Sequence, residues 1–562
     1  MVKTGLVVAI ALMTTVDTAQ AQNWDKLVER YFHEAIYPFS PSNGVQSGFH
    51  QYDAKLDDFS AAGVRRQDDI LHAFEKEVSA YPASTPDRDL VLANIHATLL
   101  ANDSIRMWEK NPDAYSSAAS NAAFVIMSRN FAPVDARLRS LIAREKQMPK
   151  LFADARANLK NPPKVYTEVA IEQLPGIVSF FEKDVPLAFA QVKDKVLNDE
   201  FRKSNAAVVA DLKAYELWLK TDLLPRSKGD FRIGADNYRK KLAYDEMVDI
   251  PLDKLLQIGY TDLRKNQQWF RDTAKTINPK KTPGQILDES GKNHPAPDKL
   301  LQAFRDTLEG LRGYIESKKI ATVPSRVMPL IEETPPFMRA LTFASMDMPG
   351  PYEKVAKESF FNVTLPEKTW TKTQVDEHMA AFNHGVILST AIHEAFPGHY
   401  LQGLWIDKAP SMARRLIAAN TYVEGWAHYT EQMMLDEGYG NNDPVLRLGQ
   451  LQDALLRNAR FIVGIEMHTG KMTFEQGVDF FLKEGFQTRT NGERETKRGT
   501  SDPTYLYYTL GKLEILKLRE DYRKKLGPKY TLQEFHNRFL SQGMPPIKVA
   551  RKEMLGDDSL VL

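Results

Sequence analysis

Cysteine is missing from all 562 residues. That excludes disulfides, thiolate metal sites, iron–sulfur clusters and a cysteine nucleophile, and it leaves His, Asp and Glu as the side chains able to hold a metal ion. Charge of one sign is not in excess either: 74 Lys and Arg stand against 73 Asp and Glu, a net charge of +1. The chain as a whole therefore makes no case for nucleic acid or an anionic membrane as partner. Long apolar runs are absent. The segment from Gly5 to Met13 is too short to span a bilayer, so stable membrane insertion is not expected. With Lys3 ahead of it and Ala19-Gln20-Ala21 behind it, that segment reads as a secretory signal cut after Ala21. A buried N-terminal helix is the alternative. No cysteine lies near the cleavage site, which argues against a lipoprotein anchor, and the expected location is periplasmic or secreted.

What is there reads mainly as helix. The length exceeds one simple core and suggests several domains or one large two-lobed protein. Apolar residues recur at three- and four-residue spacing from Asp89 to Leu100 and from Leu187 to Leu219. Thr473–Gln476 and Thr531–Glu534 are capping boxes ahead of helical runs. Breakers over 223–238 mark a soft boundary, giving a signal (1–21), an N-terminal helical lobe (22–225) and a second lobe (226–562). Residues 276–298, rich in Pro, Gly and Lys, read as a surface loop. Short β-like runs between 326 and 366 predict a small sheet. One of them, "SFFNVTLP" from Ser359 to Pro366, is either an exposed edge strand open to strand addition by a peptide or an ordinary buried strand.

Past the sheet comes "STAIHEAFPGHYLQ", Ser389 to Gln402. His393 and Glu394 open as zinc-protease helices do, but the next histidine is His399. Residues i and i+6 on a helix lie about 240° apart around the axis, so an unbroken helix could not bring both rings to one ion. Pro397 stops or kinks the helix and Gly398 adds φ freedom, so the chain can swing His399 back toward His393. The same Pro-Gly also marks a plain helix end. Downstream, "TYVEGWAHYTEQMMLDEGY" reads as a helix carrying Glu424 and, one turn on, His428. Two histidines and a carboxylate with an open position make a catalytic zinc arrangement, with Glu394 as the general base beside it. Each of these residues read singly also fits an ordinary surface or core position.

"HEAFPGHYLQ" followed by "EGWAHYTE" resembles the domain-of-unknown-function 885 family, a group of bacterial zincin-like metallopeptidases. The resemblance continues through "RNARFIVGIEMHTGKMTFEQGVDFF", "ETKRGTSDPTYLYYTLGKLEI" and "LGPKYTLQEFHNRFLSQGMPPIKVA". It is strong from about Phe360 onward and diffuse before. It implies a mostly helical fold with a deep cleft, similar to thermostable carboxypeptidases, oligopeptidases and angiotensin-converting enzyme. It implies that His393, His399 and Glu424 hold one zinc ion and that Glu394 is the general base. The chain departs from the family pattern at Tyr400, where a histidine is usual, at His428, where an apolar residue is, and at Gly464, Glu466, Gly499 and Thr504.

An oxyanion formed at zinc needs a further donor. Tyr508, matched to the family's tyrosine before Gly511, is the first candidate and His468 the second. A core tyrosine and a helix-end histidine are the plain alternatives. Arg498 is a candidate clamp for a substrate carboxylate, or part of a solvated charged loop. The expected activity is zinc-dependent hydrolysis of short peptides. A silent peptide- or partner-binding protein on the same scaffold and a hydrolase of non-peptide amides are the alternatives. Oligomeric state is left open.

Overall fold

The computed structural model describes residues 23–562 except 83–84, 336–337, 340–341 and 558. The signal-peptide expectation lies outside the described residues. Those described are mainly helical, with one three-stranded sheet among them. None of their helices is long and apolar enough to cross a membrane.

Local chemistry sets the helix starts. Thr473 and Gln476 form both arms of a capping box, and the Thr531 side chain accepts the Glu534 N–H. Asp89–Leu100 falls inside helix Pro86–Leu100, which Thr85 caps and Pro86 begins. The stretch from Leu187 to Leu219 is not one helix. It is interrupted around 189–194, and Asp194 restarts it by accepting the Val196 and Leu197 N–H groups, giving Lys195–Trp218. Residues 276–298 are not all loop either. Thr282 and Gln285 cap a helix, Pro283–Ser290, because a proline at the first helical position starts a helix rather than breaking it.

The largest apolar core runs from Trp24 to Leu223 and takes in only Ala356, Ala413 and Ile417 from later in the chain. A second core joins the sheet to the helix before it, Leu300–Ser317, and to the helices that come after it in the chain. The strands are β1 (Leu330–Glu333), β2 (Ala344–Asp347) and β3 (Phe360–Val363), in the order β1-β3-β2. β1 runs parallel and β2 antiparallel to β3. "SFFNVTLP" therefore supplies the central strand rather than an edge, and Phe361 packs edge-on against Phe304 in the core, 5.1 Å between ring centres. The edges are β1, largely exposed, and β2, half-exposed.

Seven helices carry or brace the candidate site residues: α1 (Leu252–Ile277), α2 (His384–Glu394), α3 (His399–Trp405), α4 (Asn420–Asp436), α5 (Pro444–His468), α6 (Arg489–Ser501) and α7 (Tyr507–Leu526). α2, "HGVILSTAIHE", is apolar nearly all round, so it is buried, packed on α4, α5 and β2. α4 lies along α7 at very close range. A Cβ on Gly425 would sit 2.5 Å from the Gly511 Cα, so the two glycines let the backbones meet.

Candidate metal centre

α2 ends at Glu394 and α3 begins at His399. Between them Pro397 and Gly398 turn the chain, and the indole N–H of Trp426 donates to the Pro397 carbonyl at 2.7 Å. The turn brings the two imidazoles together, their ring centres 4.9 Å apart and their planes at 85°. Glu424 comes from α4. Its Oε2 is 3.2 Å from His393 Nε2 and 3.5 Å from His399 Nε2. One ligand atom from each of the three lies within 4.8 Å of the others. A tetrahedral zinc site with bonds of about 2.0–2.1 Å has edges of about 3.3 Å, so the donor set and its spacing fit such an ion.

The outer nitrogens of both rings are tied down, as imidazole ligands require. His399 Nδ1 meets Gln402 Oε1 at 3.2 Å, and His393 Nδ1 donates to Glu431 Oε1 at 2.6 Å. Carboxylates only accept, and His393 faces one at each nitrogen, Glu431 at Nδ1 and Glu424 at Nε2. Against burial the two hold its pKa up at about 9, and Nε2 would release its proton to take an ion while Nδ1 keeps its own on Glu431. Burial alone would push the Glu424 carboxyl up, but the two imidazoles hold it well below the ordinary carboxylate range. Glu394, deep in the same place, goes the other way: burial raises it against His393 and His399, and Glu424 adds to the rise. It also accepts the Met346 backbone N–H, which sets edge strand β2 beside the centre.

Tyr508 is the donor candidate that reaches the centre. Its ring stacks over His393, 6.4 Å between centres at 29°. Arg498 Nη2 donates to its hydroxyl at 3.2 Å, so the hydroxyl's own proton is free to point elsewhere. Tyr507 is spent, donating to Asp502 at 2.8 Å. Arg498 is partly neutralised by Asp502 at 3.2 Å, and its Nη1 has no partner among the described residues.

The structure does not bring His468 into this group. Its ring is fully buried, Nε2 donates to the Gly499 carbonyl at 2.7 Å and Nδ1 accepts the Ile233 N–H at 3.4 Å. Neither nitrogen is left for a substrate. His428 is not a ligand either: it is buried and donates from Nδ1 to Glu431 at 3.1 Å, and burial lowers its pKa to about 3. Tyr400, where the family has histidine, donates to the Val327 carbonyl at 2.9 Å. Gly464 and Gly499 make room for the buried Tyr505 side chain; a Cβ on Gly464 would lie 2.9 Å from its ring and one on Gly499 2.3 Å from its hydroxyl. Glu466 accepts from Tyr260 at 3.4 Å.

Two residues that sequence reasoning missed complete the site. Glu431, fully buried, joins His393, His428 and Arg457; the Arg457 guanidinium foremost, with the hydrogen bonds from the two histidines, holds its carboxyl well below the ordinary carboxylate range against its burial. Arg457 Nη2 reaches it at 3.0 Å. Glu431 could have been found from its spacing, seven residues after Glu424 on one helix face.

A solved structure from Shewanella oneidensis, described as a candidate lipoprotein of unknown function, is 27% identical, with 93% of this chain and 98% of that chain covered and a TM-score of 0.77. Another, a candidate lipoprotein from Colwellia psychrerythraea, shares the fold at 19% identity, with coverage of 94% and 98% and a TM-score of 0.79. No curated protein matches the chain. The profile of the bacterial protein family of unknown function DUF885 matches residues 41–554, and the chain belongs to that family.

Proposed function

We propose that this protein is a zinc-dependent metallopeptidase that hydrolyses short peptides after export from the cytoplasm. The observation that carries the reading is the meeting of His393, His399 and Glu424, one ligand atom of each within 4.8 Å of the others, with the Glu394 carboxyl beside them. The reading takes the helical frame to be that of the thermostable carboxypeptidases, with substrate in a deep cleft.

His393, His399 and Glu424 hold the ion. Zinc so held supplies Lewis acidity and a water acidic enough to ionise near neutral pH. Glu394 accepts a proton from the attacking water at a carboxylate oxygen and returns it to the leaving amine; its raised pKa suits both directions of transfer. The Tyr508 hydroxyl donates to the oxygen that becomes negative as the carbonyl is attacked. Arg498, through its free Nη1, anchors a substrate carboxylate.

A silent peptide-binding protein drew its motive from the departures at Gly464, Glu466, Gly499 and Thr504. The two glycines answer to Tyr505 inside the protein, which removes part of that motive. The test is turnover of a mixed-peptide library by zinc-loaded protein, with and without chelator, read by mass spectrometry. Chelator-sensitive cleavage is expected, and the cut positions distinguish exopeptidase from endopeptidase action. Bound zinc with no cleavage would sink the peptidase reading and favour binding or a non-peptide amide.

A further inference from the structure

Glu424 and Glu431 stand seven residues apart on α4. Seven residues turn a helix through about 700°, so the two carboxylates share one face, two turns apart. The His393 ring bridges them, Nε2 at 3.2 Å from Glu424 and Nδ1 at 2.6 Å from Glu431. Glu431 is itself immobilised. It is fully buried, its second oxygen accepts from His428 Nδ1 at 3.1 Å, and Arg457 Nη2 lies 3.0 Å from its first. Arg457 also lies 5.5 Å over the Tyr508 ring, so one guanidinium braces both the carboxylate behind His393 and the aromatic ring in front of it.

We propose that Glu431 is the positioning residue of the metal centre: it fixes the tautomer and ring plane of His393, and Arg457 and His428 hold its carboxylate in place. For its effect on affinity the proposal rests on the zinc reading above; for the orientation of His393 it rests on geometry alone. A carboxylate behind an imidazole keeps the proton on the far nitrogen and makes the near one a better donor. His399 has only the neutral amide of Gln402 at 3.2 Å in the corresponding place. The two histidines are therefore unequal, and His393 is the firmer ligand.

The test uses the full-length protein. Zinc affinity is measured by chelator competition at one pH for the wild type, Glu431→Gln, and Glu145→Gln as a control that alters a buried carboxylate in another core. Glu431→Gln should bind zinc about 10- to 100-fold more weakly, and the control should bind as the wild type does. In zinc-free protein with 15N-labelled histidine, the downfield Nδ1 proton of His393, assigned by its loss in His393→Ala, should move upfield in Glu431→Gln. An affinity within twofold of the wild type, or an unmoved proton, overturns the proposal. If the wild type binds no zinc, the zinc reading fails, and the proton alone decides the role of Glu431. If Glu431→Gln does not fold, Glu431→Asp keeps the charge, withdraws it by one methylene, and should show the same two changes.

Discussion

Gly398 crosses the end of the helix that carries His393 so closely that a Cβ on it would lie 1.8 Å from the His393 carbonyl oxygen. Its φ is −73°, so the glycine is not there for a left-handed backbone, and the close crossing requires it for space. The bend that lets two histidines six residues apart share a centre is therefore a close crossing of backbones.

Gly398→Ala should force those backbones apart at a cost of about 1–3 kcal/mol or more and carry His399 away from Glu424. The expected outcome is a folded protein with a lower thermal midpoint and almost no zinc under conditions that load the wild type, read by metal analysis after desalting. Full zinc occupancy in this variant would show that the crossing does not build the site.

Glu394→Gln keeps the size and the hydrogen bond from Met346 but cannot take a proton. Because Glu394 is not among the three converging ligands, zinc content should equal that of the wild type. Turnover should drop by about 100- to 10,000-fold, measured as initial rates on the best peptide of the library. Retained activity would remove Glu394 from the reaction.

Much of this centre was legible before the structure, and the reasons differ by residue. His393 and His399 stood out because Pro397 and Gly398 break the helix between them, which a plain helix end would do as well, and Glu424 because "EGWAHYTE" follows in the order that the family resemblance implies. Glu431 and Arg457 did not, because a carboxylate on a helix and an arginine on another reveal nothing singly. Only the fold brings α5 against α2. His468 misled because a histidine at a helix end looks available, while the Gly499 carbonyl that claims it comes from α6. In the fold, the small sheet was expected in the right region, but strand order depends on pairing between residues 30 apart, and Phe360–Val363 proved central. The helix Pro283–Ser290 was hidden by weighing its proline and glycine as breakers when Thr282 and Gln285 made them a start.

Tyr508 and Arg498 should separate kinetically. Tyr508→Phe removes a hydroxyl aimed at charge that develops during the reaction, so kcat should fall by about 100-fold with little change in KM. Arg498→Gln should act mainly on KM for peptides with a free C-terminal carboxylate and much less on the same peptides amidated. Equal effects of Arg498→Gln on acid and amide would leave it a structural partner of Tyr508 and Asp502.

Outside the candidate metal centre, Glu145 should couple stability to pH. It is buried, its Oε2 accepts from Ser204, and its Oε1 has no partner among the described residues. Burial pushes its carboxyl from 4.5 up to about 8. Below pH 4.5 it is protonated whether the chain is folded or not. Between those values the unfolded chain has lost the proton and the folded chain keeps it, so unfolding releases a proton and rising pH favours unfolding. The stability lost across this window is on the order of 4 kcal/mol for a group this deeply buried. Glu145→Gln keeps an oxygen for Ser204 and has no proton to lose. Its thermal midpoint, measured against the wild type at half-unit steps, should gain steadily on the wild type from pH 5 to 8 and then level off. A difference that is constant with pH would mean that Glu145 is ionised inside the folded protein.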